Sequence, residues 1–145
     1  MFEICACLGA RSQRFRKFGR LLGMLYHGCD DVVDMLQPRA TGEAARGLGG
    51  GGNEDLDEGI LTLPAALAIQ DDQIRRLYRE GDRKDPKIRD ALLAAYRAQK
   101  ENALRELDKL EQAAKQEAEA VSSAADGLII LVEYTRALAP RSNRR

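Results

Sequence analysis

Between residues 87 and 117, apolar side chains recur at Ile88, Leu92, Tyr96, Ala103, Leu107 and Leu110. Steps of three, four and seven residues bring side chains onto one face of a helix, and that stripe must be covered to be stable. The charges between them fall into i,i+4 pairs such as Glu101–Arg105 and Glu111–Lys115, the pattern of a solvated helix face. No segment alternates apolar and polar residues as a half-buried strand does. The chain is therefore expected to be all-α, a helical bundle, with 145 residues forming a single domain.

The remaining helices follow from the same periodicity. Residues 2–9 are apolar and helical, with a turn at Gly9 and Ser12. Phe15, Phe18, Leu22, Leu25 and Tyr26 mark a helix over 12–37, ended by Pro38. Gly19, Gly23 and Gly28 lie inside it and imply close helix approach, room for a ligand, or simple tolerance. Residues 46–55 enclose four consecutive glycines and read as a mobile loop. They lack the Gly-Lys-Ser/Thr ending of a phosphate-binding loop. Thr62 as N-cap and Pro64 in the first turn open a helix over 62–80. Helices over 87–117 and 125–138 follow, the last carrying Leu128, Leu131, Val132 and Leu138. Residues 139–145 form a basic, frayed tail.

Composition narrows the function classes. Lys plus Arg equals Asp plus Glu at 23 each, there is no Trp, and aromatics are few, which argues against nucleic acid as a partner. No apolar run is long enough to span a membrane. The start is a poor signal peptide and reads as a helix entered partway along a larger fold. Cys5, Cys7 and Cys29 match no zinc spacing and read as reduced, mostly buried thiols of a cytoplasmic protein.

The stretch YHGCDDVVDML, residues 26–36, carries Asp30, Asp31 and Asp34 in a DDxxD pattern. On a helix Asp30 and Asp34 share a face, where like charges repel unless a cation lies between them. The pattern reads either as a solvated acidic face or as a grip on a divalent cation, Mg2+, serving a phosphorylated substrate.

The order LLGMLYHGCDDVVDML, then LGGGGNEDLDEGILTLP, resembles the second aspartate-rich region of the trans-isoprenyl diphosphate synthases, the polyprenyl synthetase family. Gly23, Asp30, Asp31 and Asp34 match its DDxxD segment. Gly49, Asp55, Leu56, Gly59, Thr62, Leu63 and Pro64 match the loop after it. MFEICACLGA and LVEYTRAL are similar to the family's preceding and last helices, so the resemblance covers nearly the whole chain. It implies the C-terminal half of an all-α fold about twice as long, whose two aspartate-rich motifs hold an allylic diphosphate through Mg2+. Diphosphate would leave the allylic substrate, isopentenyl diphosphate would attack the resulting cation, and a proton would be lost. Asp30 would ligate Mg2+, and Asp31 and Asp34 would orient its waters or hold basic residues. His27 and Asp55 would face the diphosphate, His27 standing where the family has Gln; a lone helical His is also commonly a structural polar residue.

The chain departs from the family at defined places. The first aspartate-rich motif is not found, because Asp71-Asp72 is followed by Arg75 rather than Asp. The family's two loop lysines are Gly50 and Ile60, and the Lys-Thr pair before the opening helix is missing. Four readings follow: a prenyltransferase half completed by a homo-oligomer or by a partner carrying the first motif; an inactive regulatory or binding subunit; a truncated remnant; and, from composition alone, a coiled-coil protein. The last is disfavoured by the alanine-rich, short stripe.

Overall fold

The computed structural model describes residues 1–36, 53–123 and 125–142. It is all-α, and among the described residues there are eight α-helices, one 3-10 turn and no strand. The helices are α1 (Phe2–Gly9), α2 (Arg16–Leu36, preceded by the 3-10 turn Gln13–Phe15), α3 (Asn53–Glu58), α4 (Leu63–Ala68), α5 (Asp72–Glu80), α6 (Pro86–Ala98), α7 (Lys100–Val121) and α8 (Asp126–Arg136). Of the expected mobile loop, residues 46–52 lie outside the described residues, while 53–55 begin α3.

Two expected helices are each divided. The segment 62–80 breaks between α4 and α5, because the Asp71 carboxylate accepts from the amides of Gln73 at 2.8 Å and Ile74 at 3.1 Å. A capped helix start of this kind stabilises by about 1 kcal/mol and competes with continuing the preceding turn. The segment 87–117 breaks at Gln99, whose ψ of 2° is not helical and whose amide donates to Tyr96 at i−3. Asp85 caps α6 through the Lys87 amide, with Pro86 at the first helical position.

The chain packs as two units, residues 1–30 with 104–145, and residues 31–103. In the first, Phe18, Leu22, Leu25 and Cys29 of α2 are buried, as are Leu104, Leu107, Ala114 and Ala118 of α7 and Val132 of α8. Each fully buried leucine contributes about 1.5–3 kcal/mol. α1 lies close on α2: a Cβ on Gly19 would meet the Phe2 carbonyl oxygen at 2.7 Å, and one on Gly23 the Phe2 side chain at 3.1 Å. Gly19 and Gly23 thus serve close approach, one of the meanings open to them in the sequence. Cys5 is exposed rather than buried, since α1 turns that face outward. Burial pushes the Cys29 thiol pKa up, against the pull of the Arg136 charge. Leu131 and Leu138, named in the last apolar helix, are exposed, together with Ile130 and Tyr134.

The tail is held, not frayed, over residues 139–142. Arg136 of α8 is fully buried and donates to Asp108 from Nε at 3.0 Å and Nη2 at 2.6 Å. Its Nη1 donates to the carbonyls of Ala139 at 3.0 Å and Pro140 at 2.8 Å. Ser142 donates to Asp108, and Arg141 bonds both oxygens of buried Glu111. Lys115 bridges Glu111 at 3.0 Å and Glu133 at 2.8 Å.

In the second unit Val32 and Met35 of α2, Leu56 of α3, Pro64, Ala65 and Ala68 of α4, and Leu92, Leu93 and Tyr96 of α6 are buried. α4 and α5 both pack on α6.

Candidate functional site around the aspartate motif

The DDxxD segment lies on the last turns of α2. Asp30 is exposed, and Asp31 and Asp34 are half-buried. Val32 and Met35, the apolar residues between and after them, face the core and fix the turn's orientation. Asp31 Oδ2 accepts a hydrogen bond from the Leu63 amide at 2.7 Å. That amide opens α4 and is one of the four N–H groups a helix start cannot satisfy internally. Thr62 holds the N-cap position, as its sequence context implies, but makes no side-chain cap bond. The carboxylate from α2 does that work, and it also complements the positive end of the helix. The structure thus brings Asp31 of the DDxxD segment against Thr62-Leu63-Pro64, 32 residues on.

A hollow opens at this junction. Asp31, Met35, Asp55, Thr62, Pro64, Leu93, Tyr96 and Arg97 line it, and its empty volume is about 330 Å³ including the open mouth. Two of the expected site residues, Asp31 and Asp55, therefore share one concavity. The α3 wall is braced. The Tyr78 hydroxyl donates to the Gly59 carbonyl at 3.0 Å, and Arg89 pairs with Asp57, one bond being 3.0 Å. Gly59 has φ +74°, the left-handed conformation that ends α3, and the Arg83 guanidinium lies against it.

Tyr96 is 6% exposed, and its hydroxyl is buried with no hydrogen-bond partner among the described residues. Burial raises its pKa to about 12, with the nearby Tyr78 adding to the rise and Arg83 opposing it. The phenol is therefore a neutral donor at physiological pH. Sequence periodicity finds Tyr96 only as a core position. Nothing in the sequence signals Arg97, which is the last-turn cation of α6.

His27 is exposed on α2, and its ring meets Phe2 and Tyr26 edge-on at 6.2 and 5.6 Å between centroids. It belongs to an aromatic group with α1, consistent with the structural reading of a lone helical His.

Among the described residues no three His, Cys, Asp or Glu side chains gather into a metal-holding group. Mg2+ needs fewer: one or two carboxylates, with water and substrate phosphate completing its shell. The hard oxygen donors of Asp31 and Asp55 around the hollow suit that partial role in kind. No helix among the described residues is long and apolar enough to cross a membrane. No protein-family model, curated protein or solved structure matches the chain.

Proposed function

We propose that the chain supplies a Mg2+-diphosphate motif to a prenyltransferase of the polyprenyl synthetase type. The observation that carries this reading is the Asp31–Leu63 hydrogen bond. It joins the two segments on which the family resemblance rests and sets Asp55 beside them in one hollow. Asp30 would ligate Mg2+, and Asp31 and Asp34 would orient its waters. Bound Mg2+ would neutralise the charge that develops on a departing diphosphate. Asp31 would keep one oxygen on the α4 start, so the metal-facing geometry of α2 is fixed before substrate arrives. The first aspartate-rich motif would come from a second copy or a partner chain, and the substrates would be an allylic diphosphate and isopentenyl diphosphate.

A second reading, a binding or regulatory subunit without turnover, is favoured by Ile60. This residue stands where the family has lysine, and it is 48% exposed, presenting apolar surface where diphosphate charge would need a cation.

Calorimetric titration with Mg2+, with and without inorganic diphosphate, tests the shared core of both readings. Binding should be weak for Mg2+ alone and strengthen with diphosphate, and Asp30→Ala should abolish that gain. Asp30 is exposed, so its replacement leaves the fold intact. An unchanged titration in Asp30→Ala removes the metal-site reading. Prenyl transfer by the purified chain would eliminate the second reading and require that copies of the chain complete the site.

A further inference from the structure

We propose that α1 and the cationic segment after it form a docking surface for an anionic phospholipid bilayer. The outward face of α1 enters the boundary of the acyl chains, and Arg11, Arg14, Arg16 and Arg20 meet the phosphate headgroups. All of these residues lie in one packing unit, 1–30 with 104–145, and none belongs to the aspartate motif.

The first support is an uncovered apolar helix. α1 carries one charged residue, Glu3, yet none of its eight residues is buried. A helix apolar on nearly every side is ordinarily covered all round. Phe2, Glu3 and Ala6 turn toward α2, where Gly19 lets the two backbones approach. Met1, Ile4, Cys5 and Leu8, at steps of three and four residues, make the opposite face. Met1, Ile4 and Leu8 are 93%, 63% and 72% exposed, and Cys5 is exposed between them.

The second support is charge. Residues 4–29 contain no Asp or Glu, while 11–20 hold Arg11, Arg14, Arg16, Lys17 and Arg20. In a chain of zero formal net charge this is a local field of one sign. Glu117 of α7 takes up Lys17, and Glu3 is shared by Arg16 at 3.0 Å and Arg20 at 3.3 Å, which sets both arginines alongside α1. Arg16 and Arg20 stay well exposed even so, as are Arg11 and Arg14. Four arginines against the single carboxylate of Glu3 leave the border of the apolar face positive. Arg11 is also held against its own preference. The amides of Arg11 and Ser12 donate to the carbonyls of Leu8 at 3.2 Å and Cys7 at 3.0 Å, the helix ending that sets its next residue left-handed. Arg11 takes that conformation, with φ 50°, where glycine is the unstrained choice. A side chain kept there against strain serves something other than the turn.

The third support is size. α1 is about 12 Å long at eight residues. One face of so short a helix falls well below the roughly 800 Å² per partner of a stable protein interface. A bilayer needs no matching area, because apolar insertion and attraction to anionic headgroups add together. A nucleic acid would meet the arginines and leave the apolar face in water.

The test is co-sedimentation of the full chain with vesicles of phosphatidylcholine alone and of equal parts phosphatidylcholine and phosphatidylserine. The wild type should bind the second and not the first, and added salt should weaken that binding. Ile4→Ser with Leu8→Ser should weaken it about tenfold or more, the effect of losing two inserted side chains. Arg11→Gln with Arg14→Gln should weaken it about ten- to twentyfold, as expected for two cations at an anionic surface. All four residues are exposed, so both double variants should melt as the wild type does. Arg11→Gly should weaken binding about fivefold and not lower the melting temperature, since glycine relieves the left-handed turn. Binding to neither vesicle, or equally to both, overturns the proposal, as does undiminished binding in either double variant. A lower melting temperature with full binding in Arg11→Gly makes Arg11 a helix-end residue only and removes it from the surface. A dimer in sedimentation velocity that Ile4→Ser with Leu8→Ser dissociates assigns the apolar face to a second copy and overturns the bilayer as its occupant.

Discussion

The clasp at the end of the chain and the hollow at the aspartate motif are both built from charged side chains half in and half out of a helical core, yet they end in opposite states. In the clasp, buried Arg136 makes four hydrogen bonds, and buried Glu111 is held by two cations. At the hollow, the buried Tyr96 phenol has no partner among the described residues, and two carboxylates and one arginine are among the lining side chains. A network whose members satisfy one another fixes structure and has little left to offer a ligand. An incomplete one holds unspent hydrogen-bonding capacity, which is why the hollow is the better place to look for chemistry.

The largest effect should come from breaking the clasp. Arg136→Met removes a buried charge, leaves Asp108 with only Ser142 and Arg141, and strands the Ala139 and Pro140 carbonyls. Removing one partner of a buried ion pair costs about 3–5 kcal/mol; because Asp108 is 34% exposed and keeps other partners, urea unfolding should show a loss near the lower end of that range. A loss under about 1 kcal/mol would mean that water already shares the clasp.

Acid should undo the same network more gently. Burial raises the pKa values of Asp108 and Glu111, but bonds from Ser142 and Arg136, and from Arg141 and Lys115, outweigh it and hold both carboxyls below their ordinary values. A carboxyl whose pKa is depressed on folding contributes stability above its unfolded pKa and loses it as pH falls through the folded one. Stability should therefore decline below the ordinary values of 4.5 for Glu111 and 3.8 for Asp108. Arg141→Ala should flatten that decline by removing the main partner of Glu111. An unaltered acid profile in that variant would show that Lys115 alone keeps Glu111 ionised.

Across the two regions, the sequence is legible where a pattern is local and silent where a bond spans the chain. Phe18, Leu22, Leu25, Leu92, Tyr96, Ala103 and Leu107 are buried as their helical spacing predicts. The breaks at Asp71 and Gln99 are not foreseen, because neither site carries the glycine or proline that usually marks one. Arg141 and Ser142 read as part of a basic, frayed tail until α7, about 30 residues earlier, supplies Glu111 and Asp108. The motif shows a similar division. Its residue types point to carboxylate chemistry, and Asp31 and Asp55 do share the hollow, but the partner of Asp31 is a backbone amide, which no side-chain pattern encodes.

That amide gives an intermediate effect in the second unit. Asp31→Ala should cost about 1.5–3 kcal/mol, the worth of a hydrogen bond to a charged acceptor. Asp30→Ala, one residue away but exposed, should cost almost nothing. Chemical denaturation of the two variants side by side measures the contrast. Equal losses would show that the cap is not what Asp31 contributes.

The smallest effect separates the hollow from the clasp most cleanly. Tyr96→Phe removes a buried hydroxyl that bonds nothing among the described residues, so without ligand the variant should match the wild type or gain about 1 kcal/mol. In the clasp, no comparable deletion of a buried polar group is expected to be free. The pH dependence adds a signature that packing alone cannot produce. The folded pKa of Tyr96 is raised from its ordinary 10.0 to about 12, so the wild type should shed stability as pH rises between those values while phenylalanine, with no proton to lose, does not. Denaturation curves of the pair should therefore lie close together at neutral pH and diverge above pH 10.0, with the variant the more stable. Curves that stay parallel through that range would mean that the phenol ionises as readily folded as unfolded. It would then be reached by solvent, and the hollow would have no buried donor to offer.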